Sequence, residues 1–264
     1  MRYEILGPFR AVDADDHFQL SAKKAQIVLA ALLIRADQVV TADQLVTELW
    51  HGRPPARASA GVHVYISQMR KFIRRPPSSG STIITCAPGY MLCPNEDEID
   101  FTLFQDLMRR GRRHLTEGNP ERAADILEQA LNLWRGPVLG GLRGGQMLDA
   151  FVELLEECRL ECLEMLAESH LMLRRHRETV STLSSLVKEY PLREAFYKLL
   201  MLALYRSNRQ GDALRVYQSA RSVLNDELGV GPCRELRDLH AAILHEDESL
   251  DELAHHALHA LRAA

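Results

Sequence analysis

The sequence predicts a mainly α chain with a small β component: an amino-terminal winged helix-turn-helix, then an all-α unit of tetratricopeptide (TPR)-like helical pairs. Three observations predict it. From Leu49 to Asn95 there is no carboxylate, although 26% of the chain is charged. Within that run, residues 61–75 wound as a helix separate into an apolar and a cationic face, and two short apolar runs follow a Pro-Pro stop. Beyond Asp100 the chain reads almost continuously as helix and contains an internal repeat.

Taken in order, residues 1–12 alternate weakly through Tyr3, Ile5, Leu6, Phe9 and Val12, and read as one or two strands. Residues 13–16 form a polar turn, and 17–20 return as a strand. Ser21 reads as the cap of a helix over 22–36, with Ile27, Val28, Ala31 and Leu32 along one side. Thr41 and Gln44 have capping-box spacing, and the helix over 42–50 sends Leu45, Leu49 and Trp50 to the core. After a turn with two prolines comes the basic helix. Val62, Ile66, Met69 and Ile73 share its apolar side, flanked by Tyr65 and Phe72; His63, Ser67, Arg70, Lys71 and Arg74 lie opposite. Pro76 and Pro77 stop it, and the runs 82–86 and 90–93 around Ala87-Pro88-Gly89 read as a hairpin.

Charge divides along the same line. Residues 1–94 hold 11 Lys and Arg against 7 Asp and Glu, and residues 95–264 hold the other 21 against 29; net charges of +4 and −8 make up the chain's −4. A basic unit joined to an acidic one points to DNA for the first and protein for the second, or to an acidic surface that is simply soluble. Residues 94–98 read as a polar linker. Helices follow near 101–117, 120–134, 147–173, 176–189, 192–207, 210–227 and 233–246. Ala123, Leu127 and Ala130 have the same spacing as Thr179, Leu183, Leu186 and as Ala213, Tyr217, Ala220. The last two sets lie 34 residues apart, the TPR period, and the first is displaced by 56. Such pairs stack into a concave surface suited to protein partners.

Chemistry other than binding finds little support. The five cysteines include no CxxC pair. Gly140–Gly145 is glycine-rich but lacks the Lys-Ser/Thr of a phosphate loop, and reads as a mobile loop. His255, His256 and His259 lack the further ligands that a metal site needs, and no cofactor or metal is expected. The amino terminus is too short and charged for a signal peptide, and no apolar run reaches membrane length, so a cytoplasmic protein away from membranes is expected. No nucleophile–base set appears, which argues against an enzyme.

The geometry of a basic helix followed by a hairpin suits double-stranded DNA. A helix fits the major groove, where side chains meet base edges, while cations beside it meet phosphates. Val64, Ser67, Gln68 and Lys71 are the candidates for base edges, Arg57, Arg70, Arg74 and Arg75 those for phosphates, and His63 lies on the same face.

With both halves placed, the chain resembles the Streptomyces antibiotic regulatory proteins, actinobacterial activators of secondary-metabolite gene clusters. The resemblance rests on ILGPFRA at 5–11, VLAALLIRADQVVTADQLVTELW at 28–50, VHVYISQMRKFI at 62–73 and PGYML at 88–92. In the second half it rests on NPERAADILEQALNLWRGPVL at 119–139, YPLREAFYKLLMLALYRSNRQGDALRVYQSAR at 190–221 and LNDELGVGPCRELRDLHAAIL at 224–244. It implies a winged helix of the response-regulator output type (OmpR/PhoB-type) over residues 1–94, a bacterial transcriptional activation domain over 99–248, and a tail over 249–264. It also implies binding to promoter direct repeats as a side-by-side pair and recruitment of RNA polymerase with its sigma factor. The recognition helix carries over to residues 58–75 and the wing to Ala87–Tyr90, which adds Tyr90 to the DNA-facing residues. Gln68 stands where Arg is frequent in the family and Cys86 where an Arg precedes the wing turn, so an altered base preference is expected and no cation from the wing. Larger members append ATPase and sensor domains, and a small stand-alone form is expected here. A repressor of the same architecture, or an interaction scaffold with a degenerate winged helix, remain as alternatives.

Overall fold

The computed structural model describes residues 1–250 apart from 14–15, 19, 21, 74–81 and 248–249. Arg74, Arg75, Ser21, the tail over 251–264 and its three histidines therefore lie outside the described residues. The chain divides into two compact units, residues 1–107 with 129–160, and residues 108–128 with 161–264.

In the first unit, β1 (Arg2–Glu4), β2 (Arg10–Asp13), β3 (Asp16–Phe18) and β7 (Glu98–Ile99) form a sheet in the order β3-β2-β1-β7. β7 is parallel to β1, with Tyr3 opposite Ile99. The stretch read as a linker is thus partly strand, and Asp97 binds the Met1 ammonium at 2.7 Å. Asp100 follows directly. It is buried and accepts the backbone N–H groups of Ile5 (2.9 Å) and Leu6 (3.0 Å). Burial raises its carboxyl above the usual range, although those two bonds and Arg135 pull the other way.

α1 (Lys23–Ile34) is buried almost all round, from Ile27 through Leu33, rather than along one stripe. Its N-cap position is Ala22, with no side-chain cap. β4 (Val40–Thr41) leads into α2 (Ala42–Trp50), whose capping box is complete: Gln44 N–H donates to Thr41 Oγ1 (3.1 Å), and Gln44 Oε1 accepts from Thr41 N–H (2.9 Å). Leu45 and Leu49 are buried as expected, but Trp50 is only half-buried. The third core-facing residue of α2 is Glu48, 3% exposed. α3 (Ala58–Ile73), β5 (Thr82–Cys86) and β6 (Gly89–Cys93) complete the order strands, three helices, hairpin. β4, β6 and β5 form the second sheet.

The glycine-rich stretch expected to be mobile is packed in part: Leu142, Gly144 and Gly145 are buried, while Gly140, Gly141 and Arg143 are exposed. Val138 and Leu139 are buried, and Leu139 N–H donates to Ile5 O at 2.7 Å. Glu48 then accepts N–H bonds from Gly145 (2.8 Å), Met147 (2.8 Å) and Leu148 (3.2 Å), three of the otherwise unpaired donors at the start of α6 (Gln146–Met172). A Cβ on Gly145 would lie 2.8 Å from Glu48 Oε1. Glycine is used here for close approach, not for mobility.

The remaining helices are α4 (Asp100–Thr116), α5 (Pro120–Leu131), α7 (His176–Glu189), α8 (Glu194–Arg206), α9 (Gln210–Leu228) and α10 (Arg234–Leu244). Every one of the nine residues of the predicted repeat is buried. The repeat is carried by the second helix of each pair, α5, α7 and α9. The first helices approach closely where side chains are small: a Cβ on Gly111 of α4 would lie 2.6 Å from Leu127 Cδ2 of α5.

Candidate nucleic-acid interface

α3 takes its position from its apolar side. Ala58, Val62, Ile66, Met69 and Ile73 are all buried, at most 7% exposed. The chain enters through Pro54 and Pro55, and Ala58 N–H donates to Pro55 O to start the first turn. Gly61 lets Trp50 lie against the helix, with Cη2 3.1 Å from where a Cβ would stand, and the Lys24 ammonium sits 4.6 Å from the centre of that indole ring. The helix is therefore clamped from α2 as well as from below.

The opposite side is open. Arg57, His63, Val64, Ser67, Gln68 and Lys71 are exposed, as the sequence spacing places them. Val64 is 54% exposed, an isopropyl group standing among polar neighbours. A face with two cations, small hydroxyl and amide groups and one apolar side chain has the donors and contacts that base edges and thymine methyls require.

Two residues placed on this face by sequence are engaged within the unit. Arg70 is half-buried. Its Nε donates to Ile83 O (2.9 Å) and its Nη2 to Thr85 Oγ1 (2.8 Å), so the guanidinium ties α3 to β5. Tyr90 is 4% exposed, its hydroxyl is hydrogen-bonded to His63 Nδ1 at 2.6 Å, and the two rings meet edge to face at 6.1 Å. The Arg70 guanidinium lies 6.0 Å from the Tyr90 ring centre. In the hairpin register Thr85 faces Tyr90, so a residue reaching one wing strand reaches both. Spacing along α3 alone carried no sign of it.

The wing is fixed at its turn by backbone contact. A Cβ on Gly89 would stand 2.0 Å from Val40 O, so only glycine lets β6 meet β4 there. Burial, with the Asp37 carboxylate, raises the Cys93 thiol above its ordinary value, so β6 adds no thiolate to the basic unit. Thr82, Ile84 and Thr85 leave the exposed side of β5 polar and apolar, without a cation.

Comparison with known proteins places this geometry. Residues 15–92 match the family described as "Transcriptional regulatory protein, C terminal", and residues 99–244 match "Bacterial transcriptional activator domain". The regulatory protein AfsR of Streptomyces coelicolor is 37% identical over 255 residues, covering 96% of this chain and 25% of that one. The chain thus spans about a quarter of the length of that relative. The regulatory protein DnrI of Streptomyces peucetius is 34% identical over 258 residues, covering 95% of this chain and 94% of its own length. A solved structure of Mycobacterium tuberculosis EmbR, in complex with a low affinity phosphopeptide, superposes with a TM-score of 0.89 at 30% identity, over 98% of this chain and 69% of that one. Carrying both matched regions in this order, the chain belongs to the Streptomyces antibiotic regulatory protein family of transcriptional regulators.

Proposed function

We propose that the chain is a sequence-specific DNA-binding activator of a secondary-metabolite gene cluster. In this reading residues 1–94 bind direct repeats near a promoter as a side-by-side pair, and residues 99–248 recruit RNA polymerase with its sigma factor. The observation that carries the reading is the exposed, carboxylate-free side of α3. Val64, Ser67, Gln68 and Lys71 read base edges, while Arg57, Arg74 and Arg75 meet phosphates. Arg70 and Tyr90, with His63, hold the wing against the recognition helix, so they set the geometry of the DNA-facing surface. The names of the relatives, regulators throughout, support the reading at the level of transcription.

The experiment is selection of genomic fragments of the source organism by the purified full chain, sequenced at two salt concentrations. Enrichment of a few fragments with spaced direct repeats is expected, and Lys71→Ala should weaken binding to them while lowering the salt slope by about one unit. Uniform retention of all fragments that salt abolishes would reduce the surface to backbone attraction and remove the sequence-specific reading. Transcription in vitro from an enriched fragment then separates activation from repression by its sign.

A further inference from the structure

Three helix-turn-helix junctions share one backbone solution. Between α4 and α5 it is Gly118 that has a left-handed conformation (φ 75°), between α6 and α7 Arg174 (φ 58°), and between α8 and α9 Asn208 (φ 59°). At each, the next N–H reaches back five residues: Asn119 to His114 O, Arg175 to His170 O and Arg209 to Leu204 O, all 2.9 Å. Glycine and asparagine are the residues that adopt this conformation readily. The middle turn places an arginine there, and continues with Arg175 and Arg177 into the first turn of α7, the end of a helix that disfavours cations. Backbone and helix dipole both oppose this choice of residues.

The three arginines have a common destination. Together with Arg206 and Asn208 of the next turn they line a concavity of about 290 Å³ whose single carboxylate among the described residues is Glu178. The Arg206 guanidinium is anchored there by two bonds to Leu250 O, from Nε at 3.3 Å and Nη2 at 2.7 Å. The corresponding arginine of the α8–α9 turn, Arg209, is instead neutralised by Asp212 at 2.7 Å.

We infer that this concavity binds the phosphate groups of a small anionic ligand, a diphosphate or a nucleotide. Guanidinium groups suit phosphate oxygens, which they meet in paired, charge-assisted hydrogen bonds. The volume lies just below the roughly 300–1,000 Å³ typical of small-ligand pockets, room for one or two phosphates with the rest of a ligand outside. Such a ligand would bridge the α6–α7 and α8–α9 turns and so stiffen the repeat unit. The inference stands apart from DNA recognition by α3, and its test contains no promoter.

The test is calorimetric titration of the full chain with inorganic phosphate, pyrophosphate and ATP at two ionic strengths. Pyrophosphate should bind at one site per chain, more weakly at the higher salt. Arg174→Asn installs the residue of the equivalent turn and keeps the backbone conformation, so it retains the fold; it and Arg177→Gln should each weaken binding about tenfold. Tighter binding of ATP than of pyrophosphate identifies a nucleotide as the source of the phosphates, and equal binding identifies the phosphate groups alone. The inference is overturned if none of the three probes binds at millimolar concentration, or if the double variant, shown folded by its melting curve, binds pyrophosphate undiminished. The second result would place the anion elsewhere, on the basic side of α3 for example. Loss of duplex DNA affinity in the double variant, without binding of any probe, would assign the arginines to a nucleic-acid backbone and equally overturn it.

Discussion

The two compact units are held together by different physics. In residues 1–107 with 129–160, buried carboxylates reach across the sequence to backbone N–H groups: Asp100 to Ile5 and Leu6, Glu48 to Gly145, Met147 and Leu148. In residues 108–128 with 161–264, one local recipe is repeated, a left-handed turn residue followed by buried residues at fixed spacing. The first kind of unit adds to its apolar core a few polar contacts between distant segments. The second spreads its stability over many similar apolar ones. Both tryptophans, Trp50 and Trp134, belong to the first unit. Indole fluorescence therefore reports on that unit alone, while helical circular dichroism reports on both, with the larger share from the other, and the difference can be probed in one molecule.

The largest effect is expected at Glu48. Glu48→Ala leaves three N–H groups at the start of α6 without their acceptor, a loss of about 3–5 kcal/mol. Glu48→Gln keeps one acceptor oxygen and should recover part of it. In a urea titration the tryptophan transition should move sharply to lower denaturant. A shift of less than about 1 kcal/mol would show that water replaces the carboxylate at little cost and that the polar contact is peripheral.

Gly111→Ala makes the matching break in the second unit. The new methyl group would stand 2.6 Å from Leu127 Cδ2 and 2.7 Å from Cγ, so α4 and α5 must separate or Leu127 must leave its rotamer. Overpacking of about 1–3 kcal/mol is opposed by the better helix propensity of alanine, worth about 1 kcal/mol. A net loss of up to about 2 kcal/mol is expected, read from the circular dichroism transition. A gain would mean the helices have slack at this contact.

These two sites also show what could be read from the sequence. The repeat was legible because its spacings are local, and burial of Leu127, Leu183 and Tyr217 follows from one periodicity. The capping box at Thr41 and Gln44 was legible for the same reason. Glu48 was not. It sits between Leu45 and Leu49 and looks like an ordinary charged helix residue, while its three donors lie about 100 residues further along. Gly144 and Gly145 suggested mobility because composition shows what glycine permits, not what approaches it. On α3 the apolar and exposed sides followed from periodicity, but the ties of Arg70 to Thr85 and Tyr90 to His63 depend on where the hairpin folds back.

The second unit carries a half-buried carboxylate, Glu168, and it is the opposite of Glu48. Burial pushes Glu168 up to about 7, reinforced by the Glu164 carboxylate and only partly offset by the Lys198 ammonium. Lys198 also binds Glu235 at 2.7 Å, and Glu164 pairs with Arg193. Between pH 4.5 and 7 the folded chain holds a proton that the unfolded chain has released, so stability falls as pH rises through that window and the full loss is present above it. Glu168→Gln should remove that slope and stabilise the chain above pH 7 by about 1–2 kcal/mol. Parallel pH profiles for the two proteins would show instead that Glu168 is ionised in the folded chain.

The smallest effects are expected at the repeated turns, where they are the most exact measure of how far the repeat is a repeat. Gly118 and Asn208 share a left-handed backbone, and a Cβ on Gly118 would meet nothing within 4 Å. Conformational strain is therefore the only cost of Gly118→Ala, about 1 kcal/mol. Asn208→Ala should cost slightly less, because asparagine already has a Cβ and only its ease in this conformation is lost. Asn208→Gly should be neutral or stabilising by a few tenths of a kcal/mol, since glycine's freedom in the unfolded chain offsets most of the relief in the folded one. Melting temperatures of the three variants give the comparison directly. Losses at the two alanine variants that differ by no more than a few tenths of a kcal/mol would make the turns energetically interchangeable, as their shared hydrogen bonds imply. A much larger loss at Asn208 would show that its side chain carries a bond that glycine at the first turn does without, and the equivalence would then hold for the backbone alone.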